Sequence, residues 1–504
     1  MHSPVRMASL SHSLPRICVA LGFQTPEELS AAAEREFKDG SKFLEFRLDY
    51  LADAASGVEV MRSFRRNYPD SFILATCRHK QNAGYFKGSI EEQIKVLEGA
   101  GLSGAAALDL EIESAEKARP AIRGMRDAAP VFVSYHNFQG TPALDPVLRR
   151  LRRIPADAYK IAITASKPSH NLRLLRFARE HRELPLIALA MSEIGIASRV
   201  LAPSAGCLYT YAAPDGQEGT APGQVPARVM RNLYRCEKLT KRSQVYGVIA
   251  DPVGHSKSPL IHNRALQARR IDAVYLPFLV PGTQLRDWME LAAGLPVMGF
   301  SVTIPHKQKI MRYLDAIDPL AKRIGAVNTV WRKGGKWRGT NTDVRGIVGP
   351  LSRNLRLAHA SVLIAGYGGA ARAAAFALSD AGANVTITGR DLRKAQALAK
   401  AVRAAAVGLR EAETQRYDAL VHATPIGMFP KTEECLFRDC LPAETVFDMV
   451  YNPHDTLLIR RATEQGCSVI HGSEMFLEQA AAQFEIWTGE SAPVAVMRSA
   501  LEQK

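Results

Sequence analysis

The segment from Ser361 to Leu378 constrains the fold most strongly, because it has the pattern of a strand, a glycine turn and a helix in succession. Its apolar run Val362–Ala365 predicts a buried strand. Gly366 and Gly368 permit a tight turn and a close backbone approach to a pyrophosphate, which the N-terminus of the alanine-rich helix would bind. The segment therefore predicts a dinucleotide-binding Rossmann unit, although the glycine pattern alone also fits an ordinary strand–turn–helix.

A second predicted strand, Asn384–Thr388, ends at Gly389 and is followed by Arg390 and Asp391. In Rossmann folds an acidic residue at this strand end contacts the ribose of NAD, whereas an arginine accommodates the 2′-phosphate of NADP. Arg390 therefore favours NADP, and Asp391 beside it leaves NAD open.

The chain of 504 residues is long enough for two large domains, and its 47% hydrophobic and 23% charged residues are globular values. No run of eighteen apolar residues occurs, so we expect no membrane-spanning helix. Residues 1–15 carry no sustained apolar segment and predict a short disordered tail.

Seven scattered cysteines without a CxxC pair predict a reducing, cytoplasmic location and no metal site. The net charge of +15 is spread along the chain without a run of five or six basic residues. This distribution favours anionic small molecules as partners over nucleic acid or a membrane.

The first half contains eight apolar runs of strand length between Ile17 and Tyr211, most of them separated by amphipathic stretches. Such alternation predicts a (β/α)₈ barrel over residues 16–240, with a doubly wound sheet as the alternative.

Polar side chains stand in or just after these strands, and the carboxyl ends of barrel strands carry the chemistry. A lysine in an apolar pocket near cations can act as a Schiff-base amine, a histidine can move protons, and arginines can bind a carboxylate. Singly, each has a structural explanation, such as a snorkelling lysine, a core histidine or an ion pair; together they predict a site. The residues are Glu45, Arg47, Arg78, His136, Lys160, Arg199, Thr220 and Gln224.

The motifs around these residues resemble type I 3-dehydroquinate dehydratase from about Arg16 to about Arg235. They are Glu45-Phe-Arg47, Thr76-Cys-Arg78, Ser134-Tyr-His136, Tyr159-Lys160, Ser198-Arg199 and Ala221-Pro-Gly-Gln224. The resemblance implies a Schiff base on Lys160 and general acid/base catalysis by His136. The remaining residues of the set would bind substrate.

One position departs from the family pattern. Asn82 stands where the family usually has a glutamate that orients and charges the catalytic histidine. An amide supplies no charge, so this exchange is expected to lower the pKa of His136.

A new α/β pattern begins at Gln244, beyond a domain boundary near Thr240. Paired serines before a helix could hold a carboxylate, or could simply cap the helix. A lysine–aspartate pair with neighbouring amides could bind a polyol and move a proton, although singly the pair could be a surface ion pair. The residues concerned are Ser256, Ser258, Thr303, Lys307, Asn328 and Asp343.

These motifs resemble shikimate dehydrogenase over residues 246–502. The resemblance implies proton transfer by Lys307 paired with Asp343. Shikimate would contact Ser256, Ser258, Thr303, Asn328, Tyr451 and Gln479. The cofactor would contact Gly366, Gly368, Gly369, Ala370, Arg390, Thr424, Met449, Gly472 and Met475. The substrate lobe would comprise residues 241–345 and 478–504, and the NADP lobe residues 346–477.

The two resemblances imply consecutive reactions: dehydration of 3-dehydroquinate to 3-dehydroshikimate, followed by NADPH-dependent reduction to shikimate. One alternative is a shikimate or quinate dehydrogenase whose barrel is catalytically weak or silent and serves as a binding module. A nucleic-acid-binding protein is the remaining alternative.

Overall fold

The computed structural model describes residues 14–437 and 440–502. The described chain divides into two compact units. One contains the described residues up to Val245 together with Asp272–Pro296, and the other contains Tyr246–Ile271 and the described residues from Val297 onward. Most of the predicted tail at residues 1–15 lies outside the described residues, and Leu14 packs in the barrel core at 7% exposure.

Eight parallel strands of the first unit form one sheet in the order β7-β6-β5-β4-β3-β2-β1-β8. Because β1 pairs with both β2 and β8, and Leu208 N donates to Leu186 O at 2.9 Å, the sheet curves into a nearly closed barrel. The predicted (β/α)₈ barrel is thereby confirmed. The strands are β1 (Ile17–Leu21), β2 (Phe43–Arg47), β3 (Phe72–Thr76), β4 (Ala107–Glu111), β5 (Val131–Asn137), β6 (Ala158–Thr164), β7 (Leu186–Met191) and β8 (Thr210–Ala212).

Three of the barrel helices begin at a side chain that bonds the free backbone N–H groups of the first turn: Thr25, Asp53 and Ser89. Thr25 Oγ1 accepts from Glu28 N, and Ser89 and Glu92 form a reciprocal capping box. The helices are α1 (Pro26–Lys38), α2 (Ala54–Asn67), α3 (Ile90–Leu102), α4 (Ile112–Lys117), α5 (Ile122–Ala128), α6 (Leu144–Leu151), α7 (Ser169–Glu180) and α8 (Ile196–Leu201).

The barrel interior is layered, because alternate residues of each strand point inward. A lower layer is mainly apolar and includes Phe43, Leu74 and Phe132. Two residues further along the same strands, the buried side chains are Glu45, Thr76 and Ser134. The polar layer thus lies toward the carboxyl ends of the strands, where barrel enzymes carry their sites.

A mixed sheet of the second unit has the strand order β9-β11-β13-β14-β12, with antiparallel pairs β11–β13 and β13–β14. Its elements are β9 (Gln244–Ala250), α9 (Ser258–Ala268), β11 (Val297–Val302), β12 (Ala316–Ile317), α11 (Pro319–Ile324), β13 (Thr329–Lys333), β14 (Lys336–Thr340) and α12 (Asp343–Asn354). The intervening segment 272–296, grouped with the first unit, contains β10 (Ala273–Leu279) and α10 (Leu285–Gly294).

The last sheet is parallel, in the order β17-β16-β15-β18-β19-β20. This order reverses direction between β15 and β18, the crevice where doubly wound folds bind ligands, and confirms the predicted Rossmann lobe. Its elements are β15 (Ser361–Ala365), α13 (Gly369–Asp380), β16 (Asn384–Thr388), α14 (Leu392–Val402), β17 (Ala405–Ala406), α15 (Leu409–Thr414), β18 (Tyr417–His422), β19 (Ala443–Asp448), α16 (Leu457–Glu464), β20 (Ser468–Ile470), α17 (Gly472–Thr488) and α18 (Val494–Glu502). Among the described helices, none combines the length and apolarity needed to cross a membrane.

Candidate active sites

Lys160 lies inside the barrel on β6, with its side chain 4% exposed. Its Nζ donates hydrogen bonds to Asp109 Oδ2 at 3.1 Å and to Tyr211 Oη at 2.8 Å, and lies 3.9 Å from Glu45 Oε1. Burial alone would raise the pKa of Asp109, but Lys160 and Arg78 outweigh burial and lower it. The sequence predicts cations around Lys160, whereas the structure places the carboxylates of Asp109 and Glu45 nearest to it. The Asp109 carboxylate is suited to balance the positive charge of an iminium.

Two of the predicted arginines, Arg78 and Arg199, have no carboxylate partner among the residues that the structure describes. Arg199 is 1% exposed; its Nη2 donates to Pro222 O at 3.1 Å, and its Nε has no hydrogen-bond partner among the described residues. Burial lowers the pKa of Arg199 to about 10. Arg78 Nε is also buried without such a partner. Because buried charges are normally paired, both guanidinium groups are suited to bind an anionic ligand.

Arg47 differs from these two arginines, because it is already paired inside the barrel. Its Nε and Nη2 donate to the two carboxylate oxygens of Asp49 at 2.9 and 2.8 Å. Burial opposes the charge of Arg47, but the Asp49 carboxylate prevails and raises its pKa. Arg47 therefore brings little net charge to the predicted substrate site.

His136 is half-buried at the end of β5, and its Nδ1 is shielded from solvent without a hydrogen-bond partner in the described chain. Burial lowers the pKa of His136 well below its usual value, and the charges of Arg78, Lys160 and Arg47 add to that effect. The imidazole is therefore neutral at physiological pH and can accept a proton.

Asn82 does not bond to His136; its Nδ2 donates to Glu111 Oε1 at 3.3 Å. The same carboxylate oxygen accepts from His79 N at 3.0 Å and from Gln93 Nε2 at 2.9 Å. Glu111 thus holds the segment that carries Asn82. This role was not predicted, although the spacing of Asp109 and Glu111 places both carboxylates on one face of the strand.

Thr220 and Gln224 lie on one loop after β8, and Gln224 Nε2 approaches Thr220 Oγ1 at 3.4 Å. Gln224 Oε1 is buried and lacks a hydrogen-bond partner among the described residues. Gly223 has φ +77°, and a methyl group there would collide with the Ser192 carbonyl, so this tight turn requires glycine. The loop therefore presents one hydroxyl and one amide.

In the second unit the predicted lysine–aspartate pair is formed. Lys307 Nζ lies 2.6 Å from Asp343 Oδ2, and Asn328 Nδ2 donates to Asp343 Oδ1 at 2.7 Å. The Lys307 side chain is 17% exposed and that of Asp343 only 5%. A partly accessible ammonium held by a buried carboxylate is suited to deliver a proton at a cleft.

Ser256, which follows β9, forms a hydrogen bond with Tyr451, which follows β19. Burial raises the pKa of the Tyr451 phenol, against hydrogen bonds from Lys257 backbone and Ser256 side chain. Ser258 N donates to Ser256 Oγ at 3.3 Å, so the first turn of α9 partly uses this hydroxyl as a cap. Thr303 follows β11 directly and is half-buried.

Gln479 donates its amide to Phe476 O, in its own helix, at 3.0 Å. One turn further along α17, Gln483 is 1% exposed and bridges two strands, a contact that the sequence analysis misses. Its Oε1 accepts from Ser301 Oγ at 2.8 Å, and its Nε2 donates to Thr329 Oγ1 at 3.1 Å. Because residues four apart lie on the same face of a helix, the spacing of Gln479 and Gln483 could have indicated that both face the same side.

The glycine loop reaches the lysine pair. Gly366 has φ +131°, and a methyl group on it would lie 2.8 Å from Ala423 O, so a side chain there would disturb the strand–loop contact. Gly368 caps α13, whose first residues are Gly369 and Ala370. A methyl group on Gly369 would lie 3.4 Å from Lys307 Cδ. The predicted cofactor loop and the predicted proton donor therefore share one cleft.

At the end of β16, Arg390 is exposed and its side chain has no ion pair within the described chain. Asp391 instead caps α14, accepting from Lys394 N at 3.3 Å. The cation is therefore free for a phosphate, whereas the carboxylate is engaged by its own helix.

Thr424 belongs to a buried network after β18. Its hydroxyl lies 2.6 Å from His422 Nε2, and His422 Nδ1 lies 2.9 Å from Asp448 Oδ1. Thr424 Cγ2 would contact a methyl group on Gly366 at 3.4 Å, so this residue lines the glycine loop. The sequence analysis includes Thr424 but misses His422 and Asp448, which hold it.

The other predicted cofactor residues surround the same crevice. Met449 follows β19 and donates its backbone N–H to His422 O at 3.0 Å. Gly472 and Met475 lie in the first turn of α17, and Met475 is 8% exposed. The structure thus gathers these residues at the carboxyl edge of the Rossmann sheet.

The two folds define a class: a (β/α)₈ barrel with a buried lysine, in one chain with a two-lobed α/β unit of the dinucleotide-dependent dehydrogenase type. Residues 17–241 match the family model described as type I 3-dehydroquinase. Residues 248–330 match the shikimate dehydrogenase substrate binding domain, and residues 472–502 match the shikimate 5′-dehydrogenase C-terminal domain.

One relative contains both of these domains and aligns with nearly the full length of the chain. The chain is 34% identical over 502 residues to the bifunctional 3-dehydroquinate dehydratase/shikimate dehydrogenase, chloroplastic, of Arabidopsis thaliana, covering 95% of this chain and 82% of the relative. The chain belongs to this bifunctional family.

Its second half is also similar to single-function proteins. It is 40% identical over 272 residues to the shikimate dehydrogenase (NADP(+)) of Bacillus cereus strain AH187, covering 52% of this chain and 98% of the relative. A crystal structure of a shikimate dehydrogenase in complex with NADP+ matches with a TM-score of 0.50 and 37% identity, covering 52% of this chain and 96% of that one.

Proposed function

We propose that this chain catalyses two consecutive reactions of the shikimate pathway. The barrel dehydrates 3-dehydroquinate to 3-dehydroshikimate, and the second unit reduces 3-dehydroshikimate to shikimate with NADPH. The observation that carries the proposal is the buried Lys160 amine between Asp109 and Tyr211, in the same barrel as guanidinium groups that have no carboxylate partner in the described part of the chain.

At the barrel, Lys160 Nζ attacks the substrate ketone, and loss of water leaves an iminium whose charge Asp109 balances. Neutral His136 takes a proton from the carbon beside the iminium and returns one to the departing hydroxyl. Arg199 and Arg78 bind the anionic and hydroxyl groups of substrate, together with Glu45, Arg47, Thr220 and Gln224. Hydrolysis of the iminium then releases product and restores the amine.

In the second unit NADPH supplies the hydride when bound. Lys307, held by Asp343, gives a proton to the carbonyl oxygen as that oxygen gains charge. Binding of the substrate polyol falls to Ser256, Ser258, Thr303, Asn328, Tyr451 and Gln479. Gly366, Gly368, Gly369 and Ala370 cradle the pyrophosphate, and the nicotinamide side is lined by Thr424, Met449, Gly472 and Met475.

Preference for NADP is supported by exposed Arg390, which has no ion pair in the described chain, and by the capping role of Asp391. NAD is the alternative cofactor, and binding of NADPH should be compared with binding of NADH.

We propose that the barrel comprises residues 16–240, the substrate lobe residues 241–345 and 478–504, and the cofactor lobe residues 346–477. The seven free thiols support a reducing compartment, for which we propose the cytoplasm.

The deciding experiment for the barrel follows enone absorbance from 3-dehydroquinate without NADPH. The wild-type chain is expected to turn over, and Lys160→Ala is expected to be inactive while still reducing 3-dehydroshikimate with NADPH, which controls for folding. Wild-type protein that reduces 3-dehydroshikimate but forms no enone would instead establish the silent barrel, the alternative that Asn82 favours.

For the second unit, Lys307→Ala is expected to abolish NADPH oxidation by 3-dehydroshikimate and to leave enone formation intact. Comparing kcat/KM for shikimate and quinate in the reverse direction separates the two polyol specificities. A higher value for quinate would contradict the assignment of substrate.

A further inference from the structure

Two phenols without a role in the proposed mechanism lie at the last barrel strand: Tyr211 in β8, beside Lys160, and Tyr209 immediately before β8. Tyr211 is 3% exposed and Tyr209 is completely buried. Their hydroxyl oxygens are 3.3 Å apart, but only Tyr211 bonds to Lys160, at 2.8 Å from Nζ. Burial and then the nearby Glu45 charge raise the pKa of Tyr211 well above its usual value, so the phenol keeps its proton.

The Tyr211 hydroxyl connects Lys160 to a second carboxylate. Tyr211 Oη donates to Glu45 Oε1 at 3.4 Å, and Thr76 Oγ1 donates to the same oxygen at 2.7 Å. Lys160 Nζ itself is 3.9 Å from Glu45 Oε1, beyond hydrogen-bond distance. A proton leaving the ammonium toward Glu45 therefore has its shortest route through the phenol.

Asp109 is a poor acceptor for that proton, although it touches the amine. Burial would raise the pKa of Asp109, but Lys160 and Arg78 lower it, and Ser134 Oγ donates to Asp109 Oδ1 at 2.7 Å. The iminium that forms on Lys160 also needs an anion beside it. Asp109 best serves as this lasting counter-ion, which leaves Glu45 to accept the proton.

We propose that Tyr211 relays a proton from Lys160 to Glu45 when the amine attacks the substrate, an inference that rests on the proposed dehydratase function. An N–H bond of the ammonium breaks as its proton passes to Tyr211 Oη, and the phenol proton passes to Glu45 Oε1. The products are a neutral amine, a neutral phenol and a carboxylic acid. The Nζ–carbon bond then forms and the carbonyl π bond breaks, and the proton that the newly bonded, positively charged nitrogen loses passes to the carbonyl oxygen.

The relay can be measured by trapping the iminium in the full-length chain. With saturating 3-dehydroquinate, borohydride reduction links substrate to Lys160, and peptide mass spectrometry gives the rate. Tyr211→Phe removes only the hydroxyl, and we expect the trapping rate to fall at least about tenfold, with KM changed less than about twofold. Tyr209→Phe, the matched control two residues earlier in the chain, is expected to stay within about twofold of wild type.

A double-mutant cycle tests the route itself. If the proton passes through Tyr211 to Glu45, adding Tyr211→Phe to Glu45→Gln should slow trapping little further, because one route is already cut. Multiplicative losses in the double variant would overturn the relay. Equal losses in Tyr211→Phe and Tyr209→Phe would overturn it as well, since they would show a packing effect.

A second measurement does not depend on dehydration. Reductive methylation of Lys160 with formaldehyde at one fixed pH reports how readily the amine reacts. Tyr211 Oη and Asp109 Oδ2 both accept hydrogen bonds from Lys160 Nζ. Because Tyr211→Phe removes one of these two bonds, it should change the methylation rate, whereas Tyr209→Phe should leave that rate unchanged.

The outcomes separate the relay from the proposed function. A changed methylation rate with an unchanged trapping rate would mean contact without proton transfer, and would overturn the relay alone. No trapping in the wild-type chain would refute the dehydratase function and the relay together. A slowed Tyr211→Phe variant, a normal Tyr209→Phe variant and a non-multiplicative cycle would support both.

Discussion

Replacing Arg199 with methionine should stabilise the barrel while disabling it. Burial lowers the pKa of Arg199 to about 10, and because one pKa unit equals about 1.4 kcal/mol, keeping this guanidinium charged costs about 3 kcal/mol. The substitution also removes the hydrogen bond to Pro222 O, worth about 1 kcal/mol. The expected gain in the free energy of unfolding is therefore about 2 kcal/mol.

The assay is calorimetry of the full-length chain, with the barrel transition identified by the dehydratase activity lost on heating. A gain of about 2 kcal/mol predicts a Tm higher by about 4–8 °C for a domain of this size. Loss of two charge-assisted hydrogen bonds to substrate should lower dehydratase kcat/KM by about 100-fold or more.

Arg47→Met is the matched control, because Arg47 is as deeply buried but is paired with Asp49. Removing it strands a buried carboxylate, which should cost about 3–5 kcal/mol. The reasoning fails if Arg199→Met is less stable than wild type, or if the two substitutions change stability in the same direction.

Three further predictions concern separate parts of the chain. Asn82→Glu should set a second carboxylate against Glu111 Oε1 and lower the free energy of unfolding of the barrel by about 1–3 kcal/mol, as measured by chemical denaturation; unchanged stability would contradict the role given to Glu111. Arg390→Gln should weaken NADPH binding by about tenfold or more and leave NADH binding unchanged, as measured by fluorescence titration, whereas equal weakening of both would exclude a 2′-phosphate contact. Gly366→Ala should impair NADPH binding and destabilise the cofactor lobe by more than about 1 kcal/mol, because φ is +131° and a methyl group would lie 2.8 Å from Ala423 O; near-normal binding and melting would refute this.

The barrel could be predicted because parallel strands buried on both faces are continuous apolar runs, so Phe72–Thr76 or Leu186–Met191 stand out in the sequence. The Rossmann lobe could be predicted because the glycine turn requires particular residues at particular positions. Strand β8 is shorter than its apolar run, since only Thr210–Ala212 pair with β1. An apolar run indicates that a segment is buried, but the hydrogen bonds to the neighbouring strand determine where the strand begins and ends.

Residues that act through other side chains could not be predicted in the same way. Asp109 and Tyr211 meet Lys160 only because β4 and β8 are brought around the barrel to β6. Similarly, Gln483 bridges Ser301 and Thr329 across a distance of more than 150 residues in the chain. Such contacts depend on tertiary closure, which local pattern does not encode.

A single two-stage assay can show whether one chain performs both reactions. Purified protein receives 3-dehydroquinate alone, enone absorbance is followed to a plateau, and NADPH is then added. The account predicts a rise in absorbance that requires Lys160, followed by consumption of the enone in equal amount with NADPH. Absence of the first phase in protein that reduces added 3-dehydroshikimate, or absence of the second phase after a normal first one, would contradict it.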